Sequence, residues 1–527
     1  MTDLATLEAS RLALLGRLDS AKTKAERNRQ GQFATPPALA SEIVSYAISM
    51  LPASASIRFL EPGFGTGPFY SALLRDSSGK KIDFAAAYET DPHYAEPSKQ
   101  LWCGTGLSLR FEDFTDAEPP IREEDKYNLI VCNPPYVRHH HLSRSEKRRL
   151  QAKVKHAMNI EMNGLGGLYT YFLVLSQAWM QVGGVGAWLI PSEFMDVNYG
   201  RKVKEFLLDK VTLHRIHRFD PDEVQFEDAL VSSAVLFFKN TPPPPNHKVE
   251  FTFGGSLASP ASVRRVTNEE VRKALKWTGM HNSGAISQEK QNGIVLSDLF
   301  IIKRGVATGN NAFFILTDEQ VKQFDISRRF LTPILPSPRD LETDEILADE
   351  KGEPEISIRR YLLSCHLPEH EVKKRHPSLW AYLESGVKNG VHERYLCRHR
   401  APWYSQEHRS PSLFLCTYMG RQTAAGRAPF RFILNHSKAT AANVYLMLYP
   451  KPALSALING NQEVCRSIWE ALSEITADAL MGNGRTYGGG LHKLEPKELA
   501  NVPANGLLSV LPEHVNPRKH MQMELFA

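Results

Sequence analysis

Between residues 57 and 238, short apolar runs alternate with stretches of helical spacing, and few folds accommodate that alternation. Strands are predicted over 57–60, 84–88, 129–132, 185–190, 216–219 and 234–238. Strands that follow one another through helices pair mostly in parallel, with helices covering both faces of the sheet. Residues 1–30 read as a polar helical segment ending at Gly31, and Thr35-Pro36-Pro37 opens a helix over 38–50, because proline suits a first helical turn. Pro242 to Pro245 cannot continue a strand ladder and form a stiff spacer. The expected organisation is therefore a helical segment at 1–30, an α/β domain at 31–240, a proline-rich linker at 241–246 and a second domain at 247–527. That second domain lacks the alternation and reads as mixed α+β, with strand-like pieces at 300–303 and 432–434 and a helical stretch at 463–480.

Composition narrows the setting. With 42% hydrophobic and 23% charged residues the chain is globular, and six scattered cysteines without a CxxC pair point to a reducing cytoplasm rather than a disulfide scaffold. No apolar run approaches the roughly 18 residues of a membrane span. Glu8, Arg11 and Arg17 interrupt the N-terminal stretch, which argues against a signal peptide. Charge is unevenly placed: 28 Lys and Arg stand against 29 Asp and Glu through residue 245, and 35 against 29 beyond it. Within the first part, residues 138–155 carry Arg138, Arg144, Lys147, Arg148, Arg149, Lys153 and Lys155 against one acid, Glu146. Such a run is either a solvated helix face or a strip that meets phosphates.

Four motifs carry the chemistry. Leu60-Glu61-Pro62-Gly63-Phe64-Gly65-Thr66-Gly67 lies between a predicted strand and a helix. Its glycines let a ligand approach the backbone, although the same loop can serve as a plain strand–helix turn. Pro68 departs from the GxGxxG spacing of dinucleotide sites, and no Gly-Lys-Ser/Thr follows, so neither a nicotinamide site nor a P-loop is expected. Glu89, at the end of the next strand, can accept from both hydroxyls of a ribose, while Thr90 or Asp91 can cap the following helix. Asp113 and Phe114 could supply a carboxylate and a ring to an adenine, or form an ordinary turn.

Asn133-Pro134-Pro135-Tyr136 is the most specific signal. A conjugated amino nitrogen is a poor nucleophile because its lone pair is delocalised. Two acceptors aimed at its N–H groups favour the tetrahedral form and strengthen as positive charge develops. The Asn133 side-chain oxygen and the Pro134 carbonyl are suited to this, and Tyr136 offers a face for stacking. The adjacent histidines 139–141 point in different directions, without a Cys or acidic partner at ligand spacing. His366 and His370 stand at i, i+4 spacing, but Pro368 between them argues against a regular helix carrying both, and no metal is expected.

In their order, Thr35–Pro37, Leu60–Gly67, Glu89–Pro92, Glu112–Phe114 and Asn133–Tyr136 resemble the motifs of the gamma-class DNA adenine-N6 methyltransferases of restriction–modification systems. The resemblance implies a Rossmann-like S-adenosylmethionine-dependent methyltransferase domain followed by a target-recognition domain that binds duplex DNA. It implies a cognate restriction endonuclease as a separate companion. It places Thr35 and Glu61 at the methionyl end of the cofactor, Gly63 and Gly65 at its approach, Glu89 at the ribose, Asp113 and Phe114 at the adenine, and Pro135 in the wall. Asn133, Pro134 and Tyr136 become the catalytic set, with Phe226 as a second aromatic against a flipped target base. Arg138, Arg144, Arg148, Arg149 and Arg485 are the expected DNA contacts, and Gly305–Gly309 with Asn310 and Asn311 forms a second candidate segment. The rival readings are a protein-glutamine or RNA-amine methyltransferase, which could use the same acceptors, and a non-catalytic DNA-specificity subunit.

Overall fold

The computed structural model describes residues 3–220, 232–274, 276–281, 293–421, 428–487 and 490–512. The chain divides into two compact units, Met1–Ile286 with Tyr487–Gly489, and Ser287–Thr486 with Gly490–Ala527.

The first unit opens with helices α1 (Leu4–Ser20), α2 (Lys24–Gln30) and α3 (Pro37–Ser49). Thr23 caps α2 in a reciprocal capping box with Glu26, and Gly31 ends it in the left-handed conformation. The alternating part follows as β1 (Ile57–Glu61), α4 (Pro68–Arg75), β2 (Ile82–Tyr88), α5 (Pro92–Leu101), β3 (Leu107–Arg110), β4 (Tyr127–Cys132), α6 (Arg144–Met158), α7 (Leu168–Leu175), β5 (Met180–Pro191), α8 (Arg201–Asp209), β6 (Thr212–Arg218) and β7 (Ser233–Lys239). Two further strands, β8 (Lys248–Gly255) and β9 (Pro260–Thr267), complete a nine-stranded sheet of order 3-2-1-4-5-7-6-8-9. Strands β1 to β5 are parallel, β7 runs antiparallel to both β5 and β6, and β8 is parallel to β6.

Both faces of the central strands are buried, which is why β4 reads as a continuous apolar run rather than an alternating one. Leu129 and Val131 point into the core shared with α3 and α4, whereas Ile130 and Cys132 point into the core shared with α6, α7 and α8. The strand order reverses between β1 and β4. In open α/β sheets the crevice beyond the carboxyl ends of the strands at such a switch point is where ligands bind.

The proline run corrects the expected boundary at 240. It is a crossover inside the first unit, because β8 beyond it pairs with β6. Lacking N–H groups, its prolines run outside the ladder, and the carbonyls of Thr241 and Pro242 accept from the Thr212 hydroxyl. β3 was not expected from the sequence; its four residues pair only with β2, at the sheet edge.

The second unit is mixed α and β, as expected. Its main sheet joins Phe300–Arg304, Tyr445–Pro450, Phe414–Thr417, Phe432–Asn435 and Glu345–Ile346 in that spatial order, antiparallel except for the last pair. A second sheet orders Ile315–Thr317, Arg360–Leu363 and Leu331–Ile334. The helical stretch expected at 463–480 is two helices, Gln462–Ser473 and Ala477–Asn483.

Candidate active site

A cavity of about 550 Å3 opens at the switch point, lined by the segment after β1, the ends of β2 and β4, and the N-terminal helices. Thr35, Glu61, Gly63, Gly65, Glu89, Asp113, Phe114, Asn133 and Pro135 all line it, so motifs spread over a hundred residues converge on one space.

The glycine loop leaves β1 at Glu61. Gly67 adopts φ +78°, and a Cβ there would lie 2.3 Å from the Phe64 ring. Gly65 also has positive φ, but a Cβ on it would meet nothing within 4 Å, because it faces the open cavity. Glu61 is fully buried. Its Oε2 accepts from the Tyr70 N–H at 3.0 Å, while Oε1 has no hydrogen-bond partner among the described residues. Burial pushes its carboxyl well above the usual carboxylate range, against the opposing pull of the Tyr70 N–H.

Glu89 accepts from the Gly65 N–H at 2.7 Å and the Asp91 N–H at 2.8 Å, one bond to each carboxylate oxygen. Burial raises its pKa against these bonds. A carboxylate offers about four lone-pair sites, so two remain for a diol. Asp91 caps α5 through His93 and also holds Lys22 and Gln32, tying the N-terminal segment to the rim of the cavity.

Asp113 is more committed than its expected adenine role suggested. Oδ1 accepts from the Thr115 N–H and hydroxyl at 2.8 Å each, and Oδ2 lies 3.3 Å from Arg149. Arg149 also pairs with Asp116, so it braces this turn in addition to belonging to the basic strip. Phe114 is buried against Tyr88, Phe172 and Trp179. Phe172 and Leu168 also line the cavity; sequence reading missed them because they sit in the uniformly apolar helix α7.

At the end of β4, Asn133 Nδ2 donates to the Phe33 carbonyl at 2.8 Å and to the Thr35 hydroxyl oxygen at 3.0 Å. Both amide hydrogens are thereby used, which fixes the amide orientation and leaves Oδ1 purely an acceptor. Neither Oδ1 nor the Pro134 carbonyl accepts a hydrogen bond from any described residue. Tyr136 differs from its expected open face. It is 6% exposed, its hydroxyl donates to the Leu189 carbonyl at 3.1 Å, and its ring lies 5.5 Å from that of Phe33. Neither Pro134 nor Tyr136 lines the cavity, and Phe226 lies outside the described residues.

Arg138, Arg144 and Arg148 are exposed on and before α6, which Ser143 and Glu146 cap reciprocally. In the second unit Arg485 pairs with Glu498 at 2.7 Å. The Gly305–Gly309 segment is internally tied: the buried Thr308 donates to Asn311 Oδ1 at 2.6 Å, Asn311 Nδ2 donates to Asn443, and Arg400 donates to the carbonyls of Ala307 and Thr308. Among the described residues no cluster of three His, Cys, Asp or Glu side chains could hold a metal ion. None of the helices among them is long and apolar enough to cross a membrane.

Residues 81–226 match the family model described as Eco57I restriction-modification methylase, and residues 280–523 match that of the C-terminal domain of the type II methyltransferase M.Eco57I. The chain is 26% identical over 499 residues to the type II methyltransferase M.AccI of Acinetobacter calcoaceticus, spanning 90% of this chain and 85% of that one. It is 28% identical over 489 residues to M.XamI of Xanthomonas campestris pv. amaranthicola, with the same coverage. A shorter match, 36% over 112 residues, joins 20% of this chain to 44% of a tRNA1(Val) (adenine(37)-N6)-methyltransferase of Flavobacterium psychrophilum. S-adenosylmethionine is the cofactor these methyltransferase matches imply. The cavity fits it: open space before Gly65, spare acceptor sites on Glu89 and an unpaired buried oxygen on Glu61. Over both halves the chain is similar to Eco57I-like type II restriction–modification methyltransferases.

Proposed function

We propose that the protein transfers a methyl group to the N6 amino group of adenine in a specific sequence of duplex DNA, as the cytoplasmic modification component of a restriction–modification system. The observation that carries this reading is the state of Asn133, a cavity-lining residue: its amide hydrogens are both bound, and its oxygen accepts from no described residue. When bound, S-adenosylmethionine supplies an activated methyl on a sulfonium. Asn133 Oδ1 and the Pro134 carbonyl accept from the two amine hydrogens of the target and so favour the pyramidal nitrogen that attacks. Each such acceptor strengthens as charge grows on the nitrogen, a contribution of about 100-fold or more in rate. Glu89 holds the ribose hydroxyls, and Phe114 with Phe172 packs the adenine of the cofactor.

An adenine inside a duplex cannot reach Asn133, so the base is flipped out. Tyr136, held by Leu189, fixes the loop and serves a stacked base only if its ring becomes uncovered; Phe226 is the candidate for the opposite face. Arg138, Arg144 and Arg148 meet phosphates, and the second unit, where Lys and Arg outnumber Asp and Glu by 29 to 26 from residue 287 on, reads the sequence, with Arg485 contacting DNA once released from Glu498. The name of the tRNA methyltransferase relative supports N6 chemistry on this scaffold and keeps RNA as the second reading. Expression in a methylation-deficient host, with base-resolution mapping of modified DNA and RNA, separates them. N6-methyladenine at one DNA motif is expected; modification of RNA alone, or none, would overturn the reading.

A further inference from the structure

Helix α1 buries an unusual trio, Glu8, Arg11 and Leu14. A helix ordinarily docks through an apolar stripe, and a buried ion pair is a weak source of stability. Arg11 is only 1% exposed, yet it lines the cavity. Its Nε and Nη2 donate to the two Glu8 oxygens at 2.7 Å each, and Nη1 donates to the Thr66 hydroxyl of the glycine loop at 3.3 Å. A guanidinium has five N–H groups, so one on Nη1 and one on Nη2 remain. Glu8 is shared further, accepting from Ser71 and lying 4.0 Å from Arg75. Two arginines on one carboxylate leave this corner with a surplus positive charge.

The second observation is Glu61. Glu61 lines the same cavity, and its buried Oε1 has no hydrogen-bond partner among the described residues. Arg11 lies near enough for its charge to pull the Glu61 carboxyl down, although burial dominates. One end of the cavity thus presents a buried fork of N–H donors beside a buried, unpaired carboxylate oxygen. An α-amino acid headgroup has the complementary pair, a carboxylate and an ammonium. The motif residues assigned to the methionyl end, Thr35 and Glu61, contain no cation for that carboxylate.

We infer that Arg11, delivered by α1 and oriented by Glu8, binds the carboxylate of the cofactor's methionyl group while Glu61 takes its ammonium. The N-terminal helix is then part of the cofactor site rather than an appendage to the domain. This rests on the methyltransferase reading above.

The test compares two ligands, S-adenosylhomocysteine and 5′-methylthioadenosine, which share the adenosyl and thioether groups but differ in the amino acid headgroup. Removing Arg11 alone strands Glu8, so the principal variant is Arg11→Met with Glu8→Gln, which removes both buried charges together. Calorimetry on the full chain is expected to show about a 10- to 100-fold loss for S-adenosylhomocysteine and less than about 2-fold for methylthioadenosine. Arg29→Ala, which removes the exposed arginine also lining the cavity, is expected to leave both unchanged. A second measurement needs no variant: the unaltered protein should bind S-adenosylmethionine more tightly than its decarboxylated form. Equal affinity there, equal losses for both ligands in the double variant, or a selective loss in Arg29→Ala would overturn the inference and leave the methyltransferase reading intact. If the unaltered protein bound none of these ligands, the methyltransferase reading itself would fail.

Discussion

Asn133 gains its chemistry from the two acceptors that hold it, the Phe33 carbonyl and the Thr35 hydroxyl. On the proposed function, Asn133→Ala removes an acceptor that strengthens as the target amine becomes charged, so turnover should fall about 100-fold or more. Cofactor affinity should change little, since the adenosine contacts proposed above, Glu89, Phe114 and Phe172, are other residues. Near-normal turnover would show that the target amine is not addressed by this side chain. Glu61 makes a prediction in pH. Its carboxyl is held well above its ordinary value of 4.5 by burial, so the folded protein favours the neutral form. The stability this contributes is complete below pH 4.5 and is lost as the pH rises through the folded value. Glu61→Gln, which cannot ionise, should therefore stabilise the ligand-free protein by about 0.5–2 kcal/mol at pH 8 and less at pH 5. Chemical denaturation at the two values tests this, and a gain independent of pH would contradict it.

At the scale of elements, the loop after β4 is fixed by a chain crossing. The Tyr136 N–H donates to the Gly31 carbonyl at 2.9 Å, and a Cβ on Gly31 would lie 2.3 Å from the Tyr136 nitrogen. Gly31 also has φ +66°, where a non-glycine residue costs about 1–2 kcal/mol. Gly31→Ala should lower the melting temperature and reduce turnover, because the displaced loop carries Asn133. A variant with unaltered melting and activity would mean that the crossing does not position the loop. Gly31 was legible in the sequence only as the end of a helix; its partner lies more than a hundred residues away. The same limit hid the role of Arg149. Its place in a basic run was plain, but its pairing with Asp113 and Asp116 depends on how α6 packs beside the turn after β3.

For the whole molecule, the boundary of the first unit decides which fragment folds. Val249, Phe251, Val266, Val271 and Trp277 belong to the core beneath β5 to β7, and all lie beyond the proline run. Burying an aliphatic or Phe side chain of this kind contributes about 1.5–3 kcal/mol. A fragment ending at 240 would lose all five and leave β6 as an unpaired edge, which invites aggregation. It should give less soluble protein and melt lower than a fragment ending at 286. Equal yield and melting temperature would restore the proline run as a true domain boundary.

By itself the sequence determined the alternation of strands and helices, the positions of the central strands and nine of the residues that gather around the cavity. These are local properties: strands buried on both faces write continuous apolar runs, and turns that approach a ligand need glycine, proline and Asn at fixed places. Tertiary structure alone decided the rest. Glu8 and Arg11, which in the sequence merely break an apolar stretch, are buried, with Arg11 lining the cavity, because α1 folds back onto α4 and α5. β8 and β9 join the sheet because β6 offers a parallel edge that no local pattern announces. A side chain's charge is written in the sequence, but what it faces is set by pairings between distant segments, and those follow only from packing the whole unit.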